Sequence, residues 1–99
     1  MTNEYVKDIV AKIPFEPGIY MMKDEKGEII YVGKAISLRK RVRQYFQKNN
    51  KTKRIENMAS LVRDIDYIVV ENEVEALNLE CNYIKKLSPK FNVLLKDDK

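Results

Sequence analysis

The chain has 99 residues, a formal net charge of +4, one cysteine and no histidine, which allows one domain with a modest core. The lone Cys81 excludes an intramolecular disulfide and a cysteine-cluster zinc site, and without histidine any catalysis must use tyrosine, lysine, a carboxylate or an oxygen-bound hard metal ion. No apolar run approaches the roughly 20 residues that span a bilayer, and the amino terminus is unlike a signal peptide, so we expect a cytoplasmic protein without membrane contact.

The hydrophobic periodicity and the turn residues predict elements in the order α, β, β, α, α, β, α, followed by an extended tail. The helices are predicted over residues 3–12, from just after Ser37, over 54–63 and over 72–88. The first two strands lie in 18–33 and the third over 67–70, and the tail begins at Lys90. Asn3 is a plausible cap of the first helix. This order predicts an α/β domain of the α+β type, with a small three-stranded antiparallel sheet flanked by helices.

The run "GIYMMKDEKGEIIYVG", residues 18–33, predicts a β hairpin around the turn signal "DEKG". With the turn centred on the middle of that signal, Tyr20 lies directly opposite Tyr31, and the two tyrosines share one face of the sheet. A three-residue loop with Gly27 in the left-handed conformation would shift the pairing by one residue and require a bulge.

A strongly basic segment follows the hairpin. From Lys34 to Arg54 there are nine lysines or arginines and no acidic residue, and the helix capped by Ser37 carries much of this charge. A solvated helix is one explanation, but helices that only need solubility usually carry both signs. The absence of acidic partners and the interleaved Tyr45 and Phe46 favour a face that binds a polyanion such as nucleic acid.

The last predicted helix, which Asn72 opens with a capping-box pattern, contains a misplaced carboxylate. Its apolar stripe is predicted to consist of Val74, Leu77, Cys81, Ile84 and Leu87, with Ala76 alongside. Glu80 falls within that apolar arc, which is costly for a charged group unless it is paired or bound to a cation. Glu80 therefore reaches the rim of the core, pairs with an arginine such as Arg41, or binds a metal ion.

Several other residues have two explanations each. Gly18 and Gly33 permit either strand bends or the close approach of a ligand. The two hairpin tyrosines either pack on the sheet or take part in a site. Lys34 is either an ordinary surface lysine or a further part of that site. Asn92 is either a turn residue or, again, part of the site.

Taken together, these residues resemble one family. The tripeptides "GIY" at 18–20 and "YVG" at 31–33, the following "KA…L…R…YF", the helical Glu80 and the late Asn92 have the order and spacing of the GIY-YIG endonuclease domain. Over nearly the whole chain, the similarity is greatest to the amino-terminal domain of the bacterial nucleotide-excision-repair nucleases. The resemblance implies a single GIY-YIG nuclease domain over residues 1–99, at the start of a longer chain, that makes the cut on the 3′ side of a DNA lesion.

The resemblance also implies a metal and two catalytic tyrosines. Glu80 is expected to be the one protein ligand of a single Mg²⁺ or Mn²⁺ ion, with no other cofactor, and magnesium suits such a site because it keeps several waters. Tyr31 is a candidate general base, and Tyr20 is expected to orient the water or the phosphate. A tyrosine pKa of about 10 needs a nearby cation before the residue can act as a base at neutral pH.

Further roles follow from the same resemblance. Arg41 is expected to contact the scissile phosphate, Lys34 to add positive charge at the catalytic centre, and Asn92 to brace the site through backbone hydrogen bonds. Contacts with DNA or its phosphates are expected from Gly33, Lys34, Arg39, Arg41, Arg43 and Tyr45. Gly33 would let a phosphate approach, and the helix after Ser37 would offer its N-terminal amides to it.

The expected partners are lesion-containing DNA and the other subunits of the excinuclease, contacted through the rest of a full-length chain, and the family also implies a part in the SOS response. Three alternatives remain from the residues alone. The chain could be a non-catalytic DNA-binding module, a domain whose basic segment binds an acidic protein, or a stand-alone or homing-type nuclease of the same family.

Overall fold

The computed structural model describes residues 4–47 and 53–96, which form five helices and three strands. In chain order these are α1 (Glu4–Lys12), β1 (Gly18–Lys23), β2 (Ile29–Ala35), α2 (Leu38–Gln44), α3 (Lys53–Leu61), β3 (Asp64–Val69), α4 (Glu73–Leu87) and α5 (Lys90–Lys96). The strands form an antiparallel sheet in the order β2-β1-β3, so the predicted three-stranded sheet flanked by helices is confirmed. The predicted cap Asn3 and residues 48–52 lie outside the described residues.

The register of the hairpin differs from the predicted one by two residues. Tyr20 pairs with Gly33, whereas the turn signal predicted that it pairs with Tyr31. Gly27 adopts a φ of 81° and donates its N–H to the carbonyl of Asp24 (3.0 Å), which makes the loop three residues long and shifts the pairing by one. A bulge near the end of β1 adds a second shift. Because two shifts preserve the alternation of faces, both tyrosines still lie on one face.

The side chains of β1 alternate between two apolar clusters on opposite faces of the sheet. Tyr20 and Met22 face α1, α2 and α3, while Ile19 and Met21 face α4. The cluster on the first face includes buried residues of α1, of α2 and of the residues directly after them, namely Val6, Val10, Ile13, Leu38, Val42 and Tyr45. The tyrosines of the hairpin therefore lie under the basic helix, as the amphipathic pattern of that helix requires.

α4 packs on the sheet through a face that is rotated from the predicted apolar stripe. The residues that pack against the sheet are Ala76, Leu79, Tyr83 and Ile84. The prediction was wrong for Val74, Leu77 and Leu87, which are 67%, 44% and 44% exposed, and for Cys81, which is also exposed. The small Ala76 is fully buried and lets the helix approach the strands closely, so the buried face is centred near Ala76 rather than on the larger apolar residues. Glu80, one turn after Ala76, is half-buried on this face.

α4 begins as predicted, with the side chain of Asn72 accepting a hydrogen bond from the N–H of Glu75 (2.9 Å). The prediction of an extended tail was wrong, because Lys90–Lys96 is helical. Pro89 ends α4 but also suits the first turn of α5, where its missing N–H is not needed; its carbonyl accepts from the N–H of Asn92 (3.1 Å). In the described part of the chain, no helix is long and apolar enough to cross a membrane.

Candidate active site

Three tyrosines from different elements form a cluster on the face of the sheet that α1–α3 cover. The ring centroid of Tyr20 is 6.1 Å from that of Tyr31 and 5.8 Å from that of Tyr45, and the last two are 6.1 Å apart. The hydroxyls of Tyr20 and Tyr45 share a hydrogen bond of 2.7 Å. Tyr20 and Tyr45 are buried, whereas Tyr31 is partly exposed. Tyr31 is therefore the member of the cluster that a substrate can reach most directly.

Gly33 makes room for Tyr20. A Cβ atom at position 33 would overlap the hydroxyl and the nearest ring carbons of Tyr20, its direct partner in the sheet. The contact with Tyr20 is therefore sufficient to explain the glycine, and the expected contact of Gly33 with a phosphate stays a prediction. Gly18 is explained in the same way, because a Cβ there would meet the carbonyl oxygen of Ile68 on β3.

Arg41 is the cation beside the tyrosine cluster. Its guanidinium carbon lies 5.7 Å from the centroid of the Tyr45 ring. Burial raises the pKa of the Tyr31 hydroxyl well above its ordinary value, and the positive charge of Arg41 offsets only part of this effect. Burial also raises the pKa of Tyr20, and the neighbouring Tyr45 raises it further. Both hydroxyls of the hairpin therefore keep their protons at neutral pH in the protein alone.

The three arginines of α2 do not point to one place. Positions two residues apart are separated by ~200° around a helix. Arg41 is directed to the tyrosines, whereas Arg39 and Arg43 line a groove between α2 and α1. The structure therefore brings Arg41 to the candidate site and leaves the other two arginines on the opposite side of the helix.

The start of α2 is already bonded to the preceding loop. The backbone N–H of Leu38 donates to the carbonyl of Glu16 (2.9 Å), and that of Arg39 donates to the carbonyl of Pro14 (3.1 Å). Ser37 occupies the N-cap position, but its side chain makes no capping hydrogen bond. The expected use of these amides by a phosphate is corrected, because the protein's own carbonyls occupy them.

Glu80 lies at the outer edge of β2, beside Lys34. Burial raises the pKa of the Glu80 carboxyl, and the ammonium and the backbone N–H of Lys34 oppose this increase in part. Glu80 also acts electrostatically on Tyr31, which lies on β2 like Lys34. Lys34 forms an ion pair of 3.8 Å with Glu73, a residue in the first turn of α4 that no sequence pattern singled out. The candidate site thus joins the tyrosine face and the α4 face around one strand edge.

Asn92 connects α5 to the same edge. Its side-chain oxygen accepts from the N–H of Val32 (2.8 Å), and its side-chain nitrogen donates to the carbonyl of Val32 (2.9 Å). The amide group therefore takes the place of a neighbouring strand and satisfies both backbone groups of Val32. Since Val32 lies between Tyr31 and Gly33, these two bonds hold the backbone that carries the candidate base.

Glu80 is the residue of this site that can hold a metal ion. Within residues 4–47 and 53–96, no three His, Cys, Asp or Glu side chains converge, so a site with several protein ligands is absent from that part of the chain. A half-buried carboxylate with a raised pKa gains stabilisation from a cation. Mg²⁺ is commonly held by one or two carboxylates and keeps several waters. The residues present therefore fit a single magnesium ion.

The sequence matches known proteins over most of its length. The family model described as "UvrC-like GIY-YIG domain" matches residues 16–93. The UvrABC system protein C of Caldicellulosiruptor saccharolyticus is 55% identical over 94 residues, and that of Clostridioides difficile is 52% identical over 95 residues. Both alignments cover 95% of this chain, but the chain spans only 16% of the length of either relative.

Solved structures of the GIY-YIG N-terminal endonuclease domain of UvrC from Thermotoga maritima share the fold. The magnesium-bound structure is 38% identical, has a TM-score of 0.81 and covers 91% of this chain and 98% of that chain. A point mutant bound to its catalytic divalent cation has the same TM-score at 37% identity. The chain therefore belongs to the family of UvrC-like GIY-YIG domains and has the fold of its endonuclease members.

Proposed function

We propose that this chain is a divalent-metal-dependent endonuclease domain that hydrolyses a phosphodiester bond of DNA and makes the 3′-side incision in nucleotide excision repair. The observation that carries the proposal is the convergence of the Tyr31 phenol, the Arg41 guanidinium and the Glu80 carboxylate around one edge of the sheet. These are a proton acceptor, a phosphate-binding cation and a metal ligand, which are the groups that metal-assisted phosphodiester hydrolysis uses. The family and the magnesium in the Thermotoga maritima domain support the same function.

Glu80 would hold one Mg²⁺ or Mn²⁺ ion, with water and a phosphate oxygen as the other ligands. When bound, the ion supplies positive charge that activates water and stabilises the leaving 3′ oxygen. The ammonium of Lys34, which interacts with the Glu80 carboxylate, would contact a phosphate oxygen at the same edge. Its solvent-exposed ion pair with Glu73 is weak enough to be exchanged for such a contact.

Tyr31 is the proposed general base, and its neighbours prepare it for that role. Burial holds its pKa above the ordinary value, so Tyr31 keeps its own proton. It can act as a base only when positive charge beside it lowers this pKa enough for the hydroxyl to lose that proton. Arg41 supplies part of that charge and would bind the scissile phosphate through its planar guanidinium. Tyr20 is 1% exposed, so we propose that it acts through its hydrogen bond to Tyr45, by positioning the other tyrosines rather than by contacting the phosphate itself.

The setting of this domain is also a proposal. We infer that residues 1–99 form one nuclease domain at the amino terminus of a longer polypeptide, because the chain matches a small part of its relatives. Lesion-containing DNA and the other subunits of a UvrABC-type excinuclease would be its partners, the latter through the remaining polypeptide. A cytoplasmic location and a part in the SOS response are predictions of the same kind.

The test is magnesium-dependent nicking of an end-labelled duplex that carries one lesion. The domain would replace the corresponding domain of a related UvrABC system protein C, with that protein's repair partners present. We expect Glu80→Ala to abolish the 3′-side cut while DNA binding is retained. Glu56→Ala, which removes an exposed carboxylate of α3, serves as the matched control and should cut normally.

Each other outcome points to a different conclusion. Equal cutting by the native domain and Glu80→Ala would remove Glu80 as the essential metal ligand. If neither protein made the 3′-side cut while both bound DNA, the chain would be a DNA-binding module without catalysis. If plain duplex DNA bound to neither, a domain that binds an acidic protein would be the better explanation.

A further inference from the structure

A basic groove between α1 and α2 lies outside the proposed active site. It has a volume of about 380 Å³. Its walls include Lys7, Val10 and Ala11 of α1 and Arg39, Arg43 and Phe46 at α2. The charged residues among them are all cations, and the acidic residues of α1, Glu4 and Asp8, are exposed and outside the walls. Among the residues that the structure describes, no carboxylate forms an ion pair with these three cations. The groove therefore carries uncompensated positive charge.

An exposed aromatic ring lies next to one of these cations. Phe15, in the loop between α1 and β1, is 54% exposed, and the guanidinium carbon of Arg39 lies 4.4 Å from its ring centroid. The Nε of Arg39 donates to the carbonyl of Ile13 (2.6 Å), which holds the guanidinium over the ring. The result is a flat cationic and aromatic surface that is held in place but is not buried. Surfaces of this kind stack well on the face of a nucleic-acid base.

We propose that this groove, together with the Phe15–Arg39 pair, binds an unpaired segment of DNA. The cations of the groove bind its phosphates, and one base stacks on the ring of Phe15. Duplex DNA fits this surface less well, because its bases are stacked on one another and do not reach an exposed phenylalanine. The inference rests on the proposed function in taking DNA as the substrate. It adds a second contact with that substrate, on the side of α2 opposite Arg41.

The experiment is fluorescence anisotropy with a labelled oligothymidylate and a labelled duplex of equal length. Chelator is added so that neither DNA is cut. The 99-residue chain is suitable because the solved Thermotoga maritima domain is an isolated domain of matching extent. Phe15→Ala should weaken binding to oligothymidylate roughly 5- to 100-fold and leave duplex binding within about twofold, since one stacked base is lost. Phe15→Tyr keeps an aromatic face and should bind like the native chain.

A second pair of variants separates stacking from charge. Arg43→Gln should weaken both DNAs and reduce the dependence of affinity on salt by about one phosphate contact. Lys26→Gln removes an exposed cation of the hairpin turn, away from the groove, and should change neither affinity. Circular dichroism of each variant establishes that the chain is folded.

The proposal is overturned if Phe15→Ala binds oligothymidylate as tightly as the native chain, or if it weakens single-stranded and duplex binding equally. Competition by polyglutamate as effective as that by oligothymidylate would also overturn it, in favour of an acidic protein partner. The nicking assay is independent of these results. Retained nicking with no effect at Phe15 would end this inference alone, whereas stacking without nicking would end the proposed nuclease function alone.

Discussion

Replacing Gly33 by alanine tests whether this glycine serves Tyr20 or a bound phosphate. The added Cβ would overlap the hydroxyl and ring of Tyr20. That ring cannot easily move away, because it is 1% exposed and packs at centroid distances of 6.1 Å and 5.8 Å from Tyr31 and Tyr45. The variant therefore forces a displacement within a filled core.

The expected cost of this displacement has two parts. Overpacking of a well-packed core costs about 1–3 kcal/mol. Displacing Tyr20 also weakens its 2.7 Å hydrogen bond to Tyr45, which contributes about 1 kcal/mol. We expect Gly33→Ala to lower the free energy of unfolding by about 2–4 kcal/mol.

The assay is urea denaturation followed by circular dichroism, carried out as a double-mutant cycle. Tyr20→Leu removes the hydroxyl and the outer ring atoms that the new Cβ would touch. In that background the cost of Gly33→Ala should fall by about 1–3 kcal/mol, because the two changes act on one contact. An equal cost in both backgrounds would refute the reasoning. Native stability of Gly33→Ala together with weaker DNA binding would show that the glycine is needed for a phosphate after all.

Three further predictions concern the strand edge, the metal ligand and the hairpin turn. Asn92→Ala should lower the free energy of unfolding by about 1–3 kcal/mol, because both backbone groups of Val32 lose their partners. Asn78→Ala, on the exposed side of α4, is the control. If urea denaturation showed the same loss of stability for both variants, this explanation would be contradicted. Glu80→Gln should raise the melting temperature of the metal-free protein slightly at neutral pH and remove the Mg²⁺-dependent increase that the native chain shows. The sign follows from the raised pKa of Glu80, because folding disfavours its charged form. The stability that the variant gains is therefore present above the shifted pKa and disappears as the pH falls below the ordinary glutamate pKa. A Mg²⁺-dependent increase of the melting temperature that persists in the variant would argue against Glu80 as the ligand. Gly27→Ala should cost about 1 kcal/mol and Gly27→Asn less, since asparagine tolerates the observed φ of 81°; thermal denaturation measures both, and equal stability of all three proteins would contradict the loop geometry.

Local chemistry made much of the fold predictable. The helical period of α1, the turn chemistry of the hairpin and the cap at Asn72 act over a few residues, so the sequence alone indicates these elements and the three-stranded sheet. The same holds for the candidate site, because the two tripeptides, Arg41, Glu80 and Asn92 have a family spacing that can be read without a structure. β3 nevertheless begins earlier than predicted, at Asp64, since strand ends depend on the partner strand.

The sequence by itself determined the family, the β hairpin and the presence of a carboxylate where apolar residues were expected. The tertiary structure decided which face of α4 is buried, because the close approach that Ala76 allows outweighed the count of apolar residues in the periodic stripe. It also decided that the segment after Pro89 is a helix, which the side chain of Asn92 ties to β2, a contact between residues far apart in sequence. Only the register in three dimensions shows that Gly33 accommodates Tyr20. These features depend on packing between distant segments, and a sequence pattern records only the preferences of neighbouring residues.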